Sequence, residues 1–465
     1  MPEFDLAVIG AGPGGFEAAV RAGELNLKVA LIDKADPGGT CLHSGCIPTK
    51  SLLASAKLIS RIAHAESLGL SPVKPAWNLA SLVERKNRVV ETLKKGMLDT
   101  LKQTGIEWIS GTATLSGRNR LTIFPSPPPS PQRGEGRVRG EIEIESKAIL
   151  IATGSEPTPF PGVPFDGKKV LSSTQLLDLK TLPPSLLILG GGVVGVEFAS
   201  FFQPLGVKIV LVEMLNQLIP TEDEEISRRL ESLFKRKGIE VRTGQKVKNL
   251  AVHGNQVETL LESGEKIETE KVLVAMGRHA RIEGLGLEKA GIQVERGKIV
   301  VDEYLQTPVP GIFAIGDVTT RSTGLAHGAS SEAIRVVDNL KSTAKHPMNY
   351  DAIPNCIYTD PEVASVGPRF RPAPEEIVET KVLFSSLGKA QVEGETEGFL
   401  KMTASKADGR ILRVSAIGAH VTELIHEAVL AIRAGITVPI LAGTVHAHPT
   451  ESEIFQKAAR QLFIP

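Results

Sequence analysis

Apolar residues gather in short runs that end at glycine and alternate with stretches compatible with a helix. The run DLAVIG at 5–10 leads into a glycine turn, and FEAAVRAGELN follows at 16–26. The run KVALID at 28–33 is then a second buried-type strand, and it ends in an acid. Strand, turn, helix and strand in this order predict a βαβ unit with parallel strands.

The same arrangement occurs a second time. LLILGG at 186–191 repeats the strand and the turn, and EFASFFQPLG and KIVLVE follow in the same order. Gly190 lies 180 positions after Gly10, and in both copies an acid, Asp33 or Glu213, lies 23 positions after the first glycine. We therefore predict two separate dinucleotide-binding folds.

The remaining segments have a different pattern. Residues 111–124 and 138–154 alternate apolar and polar residues like a β-meander, and their connection at 125–140 is rich in proline and predicts a mobile loop. From about residue 346, strand-like runs such as GFLKMTAS and the helix-like TELIHEAVLAIRAG predict a separate α+β unit. This unit is a candidate oligomerisation domain.

Composition excludes several classes of protein. Of the 465 residues, 42% are apolar and 23% charged, and 53 basic side chains balance 53 acidic ones, which disfavours nucleic acid or an anionic membrane as a partner. No apolar run reaches the about 18 residues that span a bilayer. The N-terminus lacks a basic region before its first apolar run, so no secretory signal is expected. Three cysteines favour a reducing compartment, and we expect a cytoplasmic protein.

The glycine turns predict the cofactors. A turn without side chains lets a pyrophosphate approach the backbone at a helix N-terminus, and the acid accepts a hydrogen bond from a ribose hydroxyl. In the second copy Glu213 would repel a 2′-phosphate, and EMLNQLIP after it contains no arginine, so NAD is favoured over NADP. Because hydride passes naturally between a nicotinamide and a flavin, two dinucleotides in one chain indicate an electron-transfer enzyme. The fingerprint positions are Gly10, Gly12, Gly15 and Asp33 in the first copy, and Gly190, Gly192, Gly195 and Glu213 in the second.

Two cysteines, Cys41 and Cys46, lie five positions apart in GGTCLHSGCIPTK at 38–50. A turn entering a helix would bring them together, with Pro48 at the first helical position and Cys46 at the positive end of the helix. Two unrelated buried thiols and half of a zinc site are the alternatives. Zinc ligand pairs are usually about two to four residues apart, and the chain has no second pair, so no metal site is expected and a redox dithiol is favoured. Cys356 is interpreted as a small buried filler.

GGTCLHSGCIPTK resembles the redox-disulfide signature of the flavin-dependent pyridine nucleotide–disulfide oxidoreductases. Further matches to this family come in family order and cover essentially the whole chain: ATGS at 152–155, VAMGR at 274–278, GIFAIGD at 311–317, DPEVASVG at 360–367 and HPTESE at 448–453. The resemblance implies an α/β fold with two Rossmann-like domains, for FAD and NAD, and a C-terminal α+β dimerisation domain. The expected ranges are 1–150 for FAD, 151–275 for NAD, 276–345 completing the FAD domain and 346–465 for the interface.

The resemblance also implies roles for the matching side chains. Cys46 would face the flavin, and Cys41 would exchange with the substrate. Lys50 would lie near the reactive flavin edge and pair with Glu197. His448 would be the base that deprotonates a substrate thiol, with Glu453 fixing its tautomer, and it would act across the interface of a homodimer. His64, His420, His426 and His446 are interpreted as structural.

Further cofactor contacts follow from the same resemblance. The FAD contacts would be Lys34, Gly39, Thr40, Lys50, Ala113, Thr153, Gly154, Ser155, Asp317 and Ala326, and the NAD contacts would include Val247 and Gly277.

The implied activity is NAD-linked oxidation of a protein-bound dihydrolipoyl group, presented by the lipoyl domain of a 2-oxo acid dehydrogenase or glycine cleavage complex. The alternatives are another flavin disulfide reductase, of the glutathione or mercuric type, and a flavoprotein subunit without catalysis. Glu213 disfavours an NADPH enzyme, and the tail AARQLFIP lacks the cysteine pair of a mercuric reductase. A large thioredoxin reductase needs a C-terminal redox pair, which this tail also lacks. A flavin transhydrogenase would lack one of the two active-site cysteines, whereas both occur in this sequence.

Overall fold

The computed structural model describes residues 1–71, 75–126, 140–368 and 373–462. The proline-rich loop predicted at 125–140 lies outside these residues, except for its ends. The strands are β1 (Glu3–Ile9), β2 (Val29–Asp33), β3 (Glu107–Leu115), β4 (Arg120–Pro125), β5 (Ile142–Ile151), β6 (Ser155–Pro157), β7 (Val170–Leu171), β8 (Ser185–Leu189), β9 (Lys208–Val212), β10 (Glu240–Arg242), β11 (Val247–His253), β12 (Gln256–Leu261), β13 (Lys266–Thr269), β14 (Lys271–Val274), β15 (Arg278–Ala280), β16 (Val294–Glu295), β17 (Lys298–Ile299), β18 (Ile312–Ala314), β19 (Asn355–Ile357), β20 (Glu362–Val366), β21 (Ile377–Leu383), β22 (Phe399–Ser405) and β23 (Ile411–Gly418).

Helices connect these strands. They are α1 (Pro13–Glu24), α2 (Gly39–Ser44), α3 (Cys46–Ala63), α4 (Leu79–Gln103), α5 (Ser173–Leu176), α6 (Val193–Phe202), α7 (Glu224–Arg236), α8 (Leu287–Ala290), α9 (Ala326–Lys341), α10 (Gly388–Glu393), α11 (Val421–Arg433), α12 (Val438–Gly443) and α13 (Glu453–Leu462). Within the described residues, no helix is both long enough and apolar enough to cross a bilayer.

The chain divides into two compact units. The first unit comprises residues 1–48, 84–158 and 278–349, and the second comprises 49–83, 159–277 and 350–465. Three of these boundaries fall close to the predicted domain boundaries, whereas residues 49–83 group with the second unit. The cofactor assigned to each predicted range stays a prediction.

The first unit is built on a parallel sheet with the strand order β3–β2–β1–β5–β18. Val8 of β1 lies opposite Leu31 on one side and Leu150 on the other. These residues are fully buried, which explains why the strands are almost continuously apolar in the sequence. The predicted meander is present: β3, β4 and β5 pair antiparallel beyond the parallel part.

The second unit repeats this sheet and adds two antiparallel ones. The order β10–β9–β8–β14–β7 again places the strand before the glycine turn next to the strand that ends at the acid. An antiparallel sheet β11–β12–β13 follows in the chain. The last sheet, β19–β20–β23–β22–β21, buries Phe384 and Phe455 in a core with α11 and α13. Together these sheets confirm the predicted α/β fold with a C-terminal α+β portion.

Candidate active site

The first glycine turn requires residues without a side chain. Gly10 has a φ of +101°, and a Cβ there would lie 2.5 Å from the carbonyl oxygen of Ala152. A Cβ on Gly15 would lie 1.8 Å from the carbonyl oxygen of Gly10. Helix α1 can therefore approach the end of β1 this closely only with glycine at these positions.

The second turn has the same restrictions. Gly190 has a φ of +108°, and its Cβ would lie 2.4 Å from the carbonyl oxygen of Ala275. A Cβ on Gly195 would lie 1.9 Å from the carbonyl oxygen of Gly190. The repeat found in the sequence is thus a repeat of the same backbone contacts.

The middle glycine of each turn faces open space. Around a Cβ on Gly192 the described residues place no heavy atom within 4 Å, and around one on Gly12 only the Cα of Gly39 comes as near as 4.0 Å. Both glycines immediately precede a helix, α1 or α6, that has no acidic side chain in its first turn. The backbone at these two places therefore fits the pyrophosphate of a dinucleotide.

The acid at the end of each second strand supports its glycine turn. Asp33 accepts a hydrogen bond of 2.7 Å from the backbone N–H of Ala11. In the second unit, Glu213 accepts one of 2.6 Å from the N–H of Gly191, and its side chain is almost fully buried. A carboxylate has several acceptor positions, so each acid can hold the turn and still accept a ribose hydroxyl. The sequence reasoning predicted only the second of these roles.

The cysteine segment folds back on itself. Cys41 lies in α2, and Cys46 is the first residue of α3. Between the helices, a Cβ on Gly45 would lie 2.8 Å from the carbonyl oxygen of Thr40 and 3.4 Å from the Cα of Cys41. The helix expected to begin at Pro48 begins at Cys46, because a proline is tolerated anywhere in the first turn, where its missing N–H has no partner to lose.

This segment is fastened to the first glycine turn. The N–H of Gly38 donates to the carbonyl oxygen of Ala11 at 2.8 Å. A Cβ on Gly39 would lie 2.6 Å from the Cα of Gly12, so the two backbones are in direct contact. Gly39 is therefore needed for packing between α2 and the dinucleotide turn, a reason that no local signal in the sequence reveals.

A polar cluster surrounds Asp317 in the same unit. The hydroxyl of Ser155 donates to Asp317 at 2.5 Å, and Nε of Arg278 donates to that hydroxyl at 2.8 Å. Burial lowers the pKa of Arg278, and the negative charge of Asp317 opposes this shift. The sequence reasoning predicted Ser155 and Asp317 but assigned no role to Arg278, although it belongs to the matching VAMGR motif.

Glu332 is a second residue that the sequence did not single out. It is fully buried on α9, and its Oε2 accepts a hydrogen bond of 2.6 Å from the N–H of Gly316. The turn that carries Asp317 is thereby held to the helix that begins at Ala326. A glutamate in the middle of a helix gives no sequence signal for such a contact.

The other positions of the first unit that were predicted to contact a cofactor lie on several different elements. Thr153 donates its hydroxyl to the carbonyl oxygen of Arg281 at 2.7 Å, and Gly154 has a φ of +69°. Lys34 is exposed and Thr40 is partly buried. Ala113 is buried in the core, and its backbone pairs with that of Ile123.

In the second unit, two positions predicted for NAD lie on different elements. Gly277 has a φ of +129° and follows the strand β14 that adjoins β8. Val247 is the first residue of β11 and is partly buried.

Lys50 and Glu197 form an ion pair within the second unit. The Nζ of Lys50 lies 2.9 and 2.8 Å from the two carboxylate oxygens of Glu197. The N–H of Tyr358 donates to the same carboxylate at 3.0 Å, and the Lys50 ammonium lies 4.6 Å from the centroid of the Tyr358 ring. The carboxylate is buried and fully engaged, so the position of Lys50 is well determined.

His448 and Glu453 are also in contact. Nδ1 of His448 lies 3.0 Å from Oε1 of Glu453, whose Oε2 accepts the N–H of Thr450 at 3.0 Å. The Thr450 N–H, followed by His448, lowers the pKa of Glu453. Helix α13 begins at Glu453, and the carboxylate of Glu453 holds the turn that precedes it. The imidazole is mostly exposed, so it can meet a substrate.

The third cysteine, Cys356, lies outside the cysteine segment. It is only partly buried, and it packs against the core of the last sheet with its Sγ 3.9 Å from the carbonyl oxygen of Thr422. Burial raises the pKa of this thiol to about 12. A thiol with a raised pKa is a weak nucleophile at neutral pH.

Comparison with known proteins gives a consistent result. Residues 4–333 match the family model "Pyridine nucleotide-disulphide oxidoreductase", and residues 353–459 match that family's dimerisation domain. The dihydrolipoyl dehydrogenase of Bacillus subtilis is 39% identical over 98% of this chain and 97% of its own. That of Chlamydia pneumoniae is 38% identical over 98% of this chain and 96% of its own.

Solved structures extend this comparison. LpdA from Mycobacterium tuberculosis superimposes with a TM-score of 0.89 at 26% identity, covering 100% of both chains. The HOCl-induced flavoprotein disulfide reductase RclA from Escherichia coli, solved as a Cu(II) complex, gives a TM-score of 0.85 at 28% identity, also over 100% of both chains.

Proposed function

Because this chain belongs to the pyridine nucleotide-disulphide oxidoreductases, we propose that it is a dihydrolipoyl dehydrogenase that uses FAD and NAD⁺. Its substrate would be the dihydrolipoyl group on a lipoyl domain of a 2-oxo acid dehydrogenase or glycine cleavage complex. The observation that carries the proposal is the cysteine segment, fastened through Gly38 and Gly39 to the first dinucleotide turn. The names of the two bacterial relatives support the choice of substrate.

The residues of the chain suit a thiol–disulfide exchange. A substrate thiolate would attack Cys41 in a Cys41–Cys46 disulfide and release Cys46 as a thiolate. The second substrate thiol would then displace Cys41, which closes the substrate disulfide and leaves both cysteines reduced. Cys46 at the N-terminus of α3 is in a position where the helix dipole stabilises its thiolate. FAD, when bound, would take the electron pair from this dithiol and pass it to NAD⁺ as hydride.

His448 would act as the base in this reaction. Its Nδ1 faces Glu453, so its Nε2 would accept the proton of the attacking substrate thiol. The negative charge of Glu453 would stabilise the imidazolium that forms. We propose that His448 serves the cysteine pair of the partner subunit in a homodimer, through the dimerisation domain.

Each range of the chain would have its own task. Residues 1–150 with 276–345 would hold FAD, 151–275 would hold NAD, and 346–465 would form the interface. The buried Glu213 would select NAD⁺, because a 2′-phosphate beside it would meet a negative charge. Scarce cysteine favours action in the cytoplasm.

A flavin disulfide reductase with another substrate is the second candidate, since the similarity to the E. coli reductase covers the whole chain. One pair of assays separates the two candidates. The purified flavoprotein with dihydrolipoamide and NAD⁺ should form NADH, Cys46→Ser should abolish this activity, and Cys356→Ser should retain it. Faster turnover of NADPH with oxidised glutathione or another disulfide would overturn the proposal.

A further inference from the structure

Three potential metal ligands converge in the second unit, apart from the residues discussed so far. Glu393 is the last residue of α10, His420 immediately precedes α11, and Glu451 lies in the loop before α13. One ligand atom from each of the three lies within 4.8 Å of the other two. The cluster thus joins three elements that are distant from one another along the chain.

The carboxylate of Glu451 is the most informative member of this cluster. The residue is only 7% exposed, and within the described part of the chain its Oε1 is buried without a hydrogen-bond partner. A buried carboxylate oxygen without a partner is costly, so this geometry favours a cation at the cluster.

The surrounding charges also favour a cation. Glu395 lies beside the cluster, with its Oε2 buried, without a hydrogen-bond partner in the described part of the chain, and 3.9 Å from Nε2 of His420. Two cations face these acids: Lys389 lies 2.6 Å from Glu393, and Arg61 lies 3.1 Å from Glu395. Three carboxylates against these two positive charges leave one negative charge when the imidazole is neutral.

We propose that Glu393, His420 and Glu451 bind a divalent transition-metal ion of the Zn²⁺ or Mn²⁺ class. Two carboxylates and one imidazole form a ligand set that suits these ions, and water would complete the coordination. Ligand atoms at about 2.1 Å from a metal lie at most about 4.2 Å apart, so a small side-chain movement closes the site. No local pattern in the sequence indicates this site, since its ligands come from three separate elements.

The ion would hold the segment that carries His448. Glu451 follows His448 by three residues, and α10 begins at Gly388, where a Cβ would lie 3.8 Å from Cε1 of His448. Helix α10 therefore lies beside the imidazole at its first residue and carries a proposed metal ligand at its last. A bound ion would tie this helix to the loop before α13 and restrain the position of His448.

Direct binding tests the site. The FAD-loaded, full-length protein is treated with EDTA, kept oxidised so that thiols do not compete for metal, and titrated with Mn²⁺ while free Mn²⁺ is followed by EPR. We expect one Mn²⁺ per chain, and a dissociation constant at least tenfold weaker in Glu451→Gln and in His420→Gln. The matched controls, Glu423→Gln and His426→Gln, change exposed residues of α11 and should bind like the wild type.

A second readout does not depend on activity. Zn²⁺ or Mn²⁺ should raise the melting temperature of the wild type and of both controls, but not that of Glu451→Gln. Flavin absorbance and the metal-free melting temperature report whether each variant folds. The proposal is overturned if the wild type binds neither ion at millimolar concentration, or if Glu451→Gln and His420→Gln bind like the wild type.

Discussion

Lys50 and Glu197, 147 residues apart in the chain, form a two-oxygen ion pair of 2.9 and 2.8 Å whose carboxylate is 4% exposed. Such a contact is sensitive to the loss of one partner, because the other charge then stays buried without compensation. It therefore offers the most direct test of how the second unit is stabilised.

Replacing Lys50 by methionine should lower the free energy of unfolding by about 2–3 kcal/mol, somewhat less than for a fully buried pair because the lysine is partly exposed. Glu197→Gln should cost less, since the amide oxygen can still accept the N–H of Tyr358. Thermal melting of the FAD-loaded protein measures both variants. Arg88→Met breaks an exposed pair with Glu84 and should have almost no effect. Equal losses in Lys50→Met and Arg88→Met would contradict this interpretation.

The two glycine turns predict different losses. Gly15→Ala should yield protein without flavin, because its Cβ would collide with the Gly10 carbonyl oxygen. Gly195→Ala produces the same collision in the second turn, so this variant should retain its flavin but bind NAD⁺ poorly. Flavin absorbance and the KM for NAD⁺ distinguish these outcomes. Gly96→Ala serves as the control, because a Cβ on Gly96 would meet no heavy atom of the described residues within 4 Å, apart from its own helix backbone and chain neighbours.

Glu213 should determine the choice between NAD⁺ and NADP⁺. Glu213→Gln should reduce kcat/KM for NAD⁺ by roughly 10- to 100-fold, which is the loss expected when one or two hydrogen bonds to a charged group are removed. The kcat/KM for NADP⁺ should change much less. The ratio of kcat/KM for the two nucleotides measures this change. Glu240→Gln alters a neighbouring exposed acid and should leave the ratio unchanged. An unchanged ratio in Glu213→Gln would exclude the carboxylate from nucleotide selection.

His448 should matter for only one half of the reaction. His448→Gln should slow dihydrolipoamide oxidation by about 10²–10⁴-fold, the usual contribution of a general base. Reduction of a dye by NADH through the flavin needs no substrate thiol and should continue at the wild-type rate. Equal loss of both activities would show that the substitution disturbs the cofactor sites instead.

Glu453 should make stability depend on acid pH. Its pKa is lowered in the folded protein, so its ionised form contributes stability that is complete above the ordinary carboxyl pKa and is lost as the pH falls through the lowered value. Glu453→Gln should therefore flatten the fall of the melting temperature below about pH 4.5. Glu288→Gln, an exposed acid on α8, should show the wild-type pH dependence.

The features that depend on residues close together along the chain could be predicted from the sequence. The glycine turns, the strands β1, β2, β8 and β9, and the acids Asp33 and Glu213 follow one another closely within each βαβ unit, so their order and spacing are visible in the sequence. The cysteine segment was also recognisable, since Cys41 and Cys46 are close along the chain.

Tertiary structure decided how these parts are supported. Glu332 holds the Gly316 turn and Gly39 packs on Gly12, and neither contact has a local signature. Glu393, His420 and Glu451 come together only when α10, α11 and the loop before α13 pack against the last sheet. Contacts between distant residues depend on packing that no periodicity encodes, and for that reason a histidine interpreted as structural becomes a candidate ligand in the folded protein.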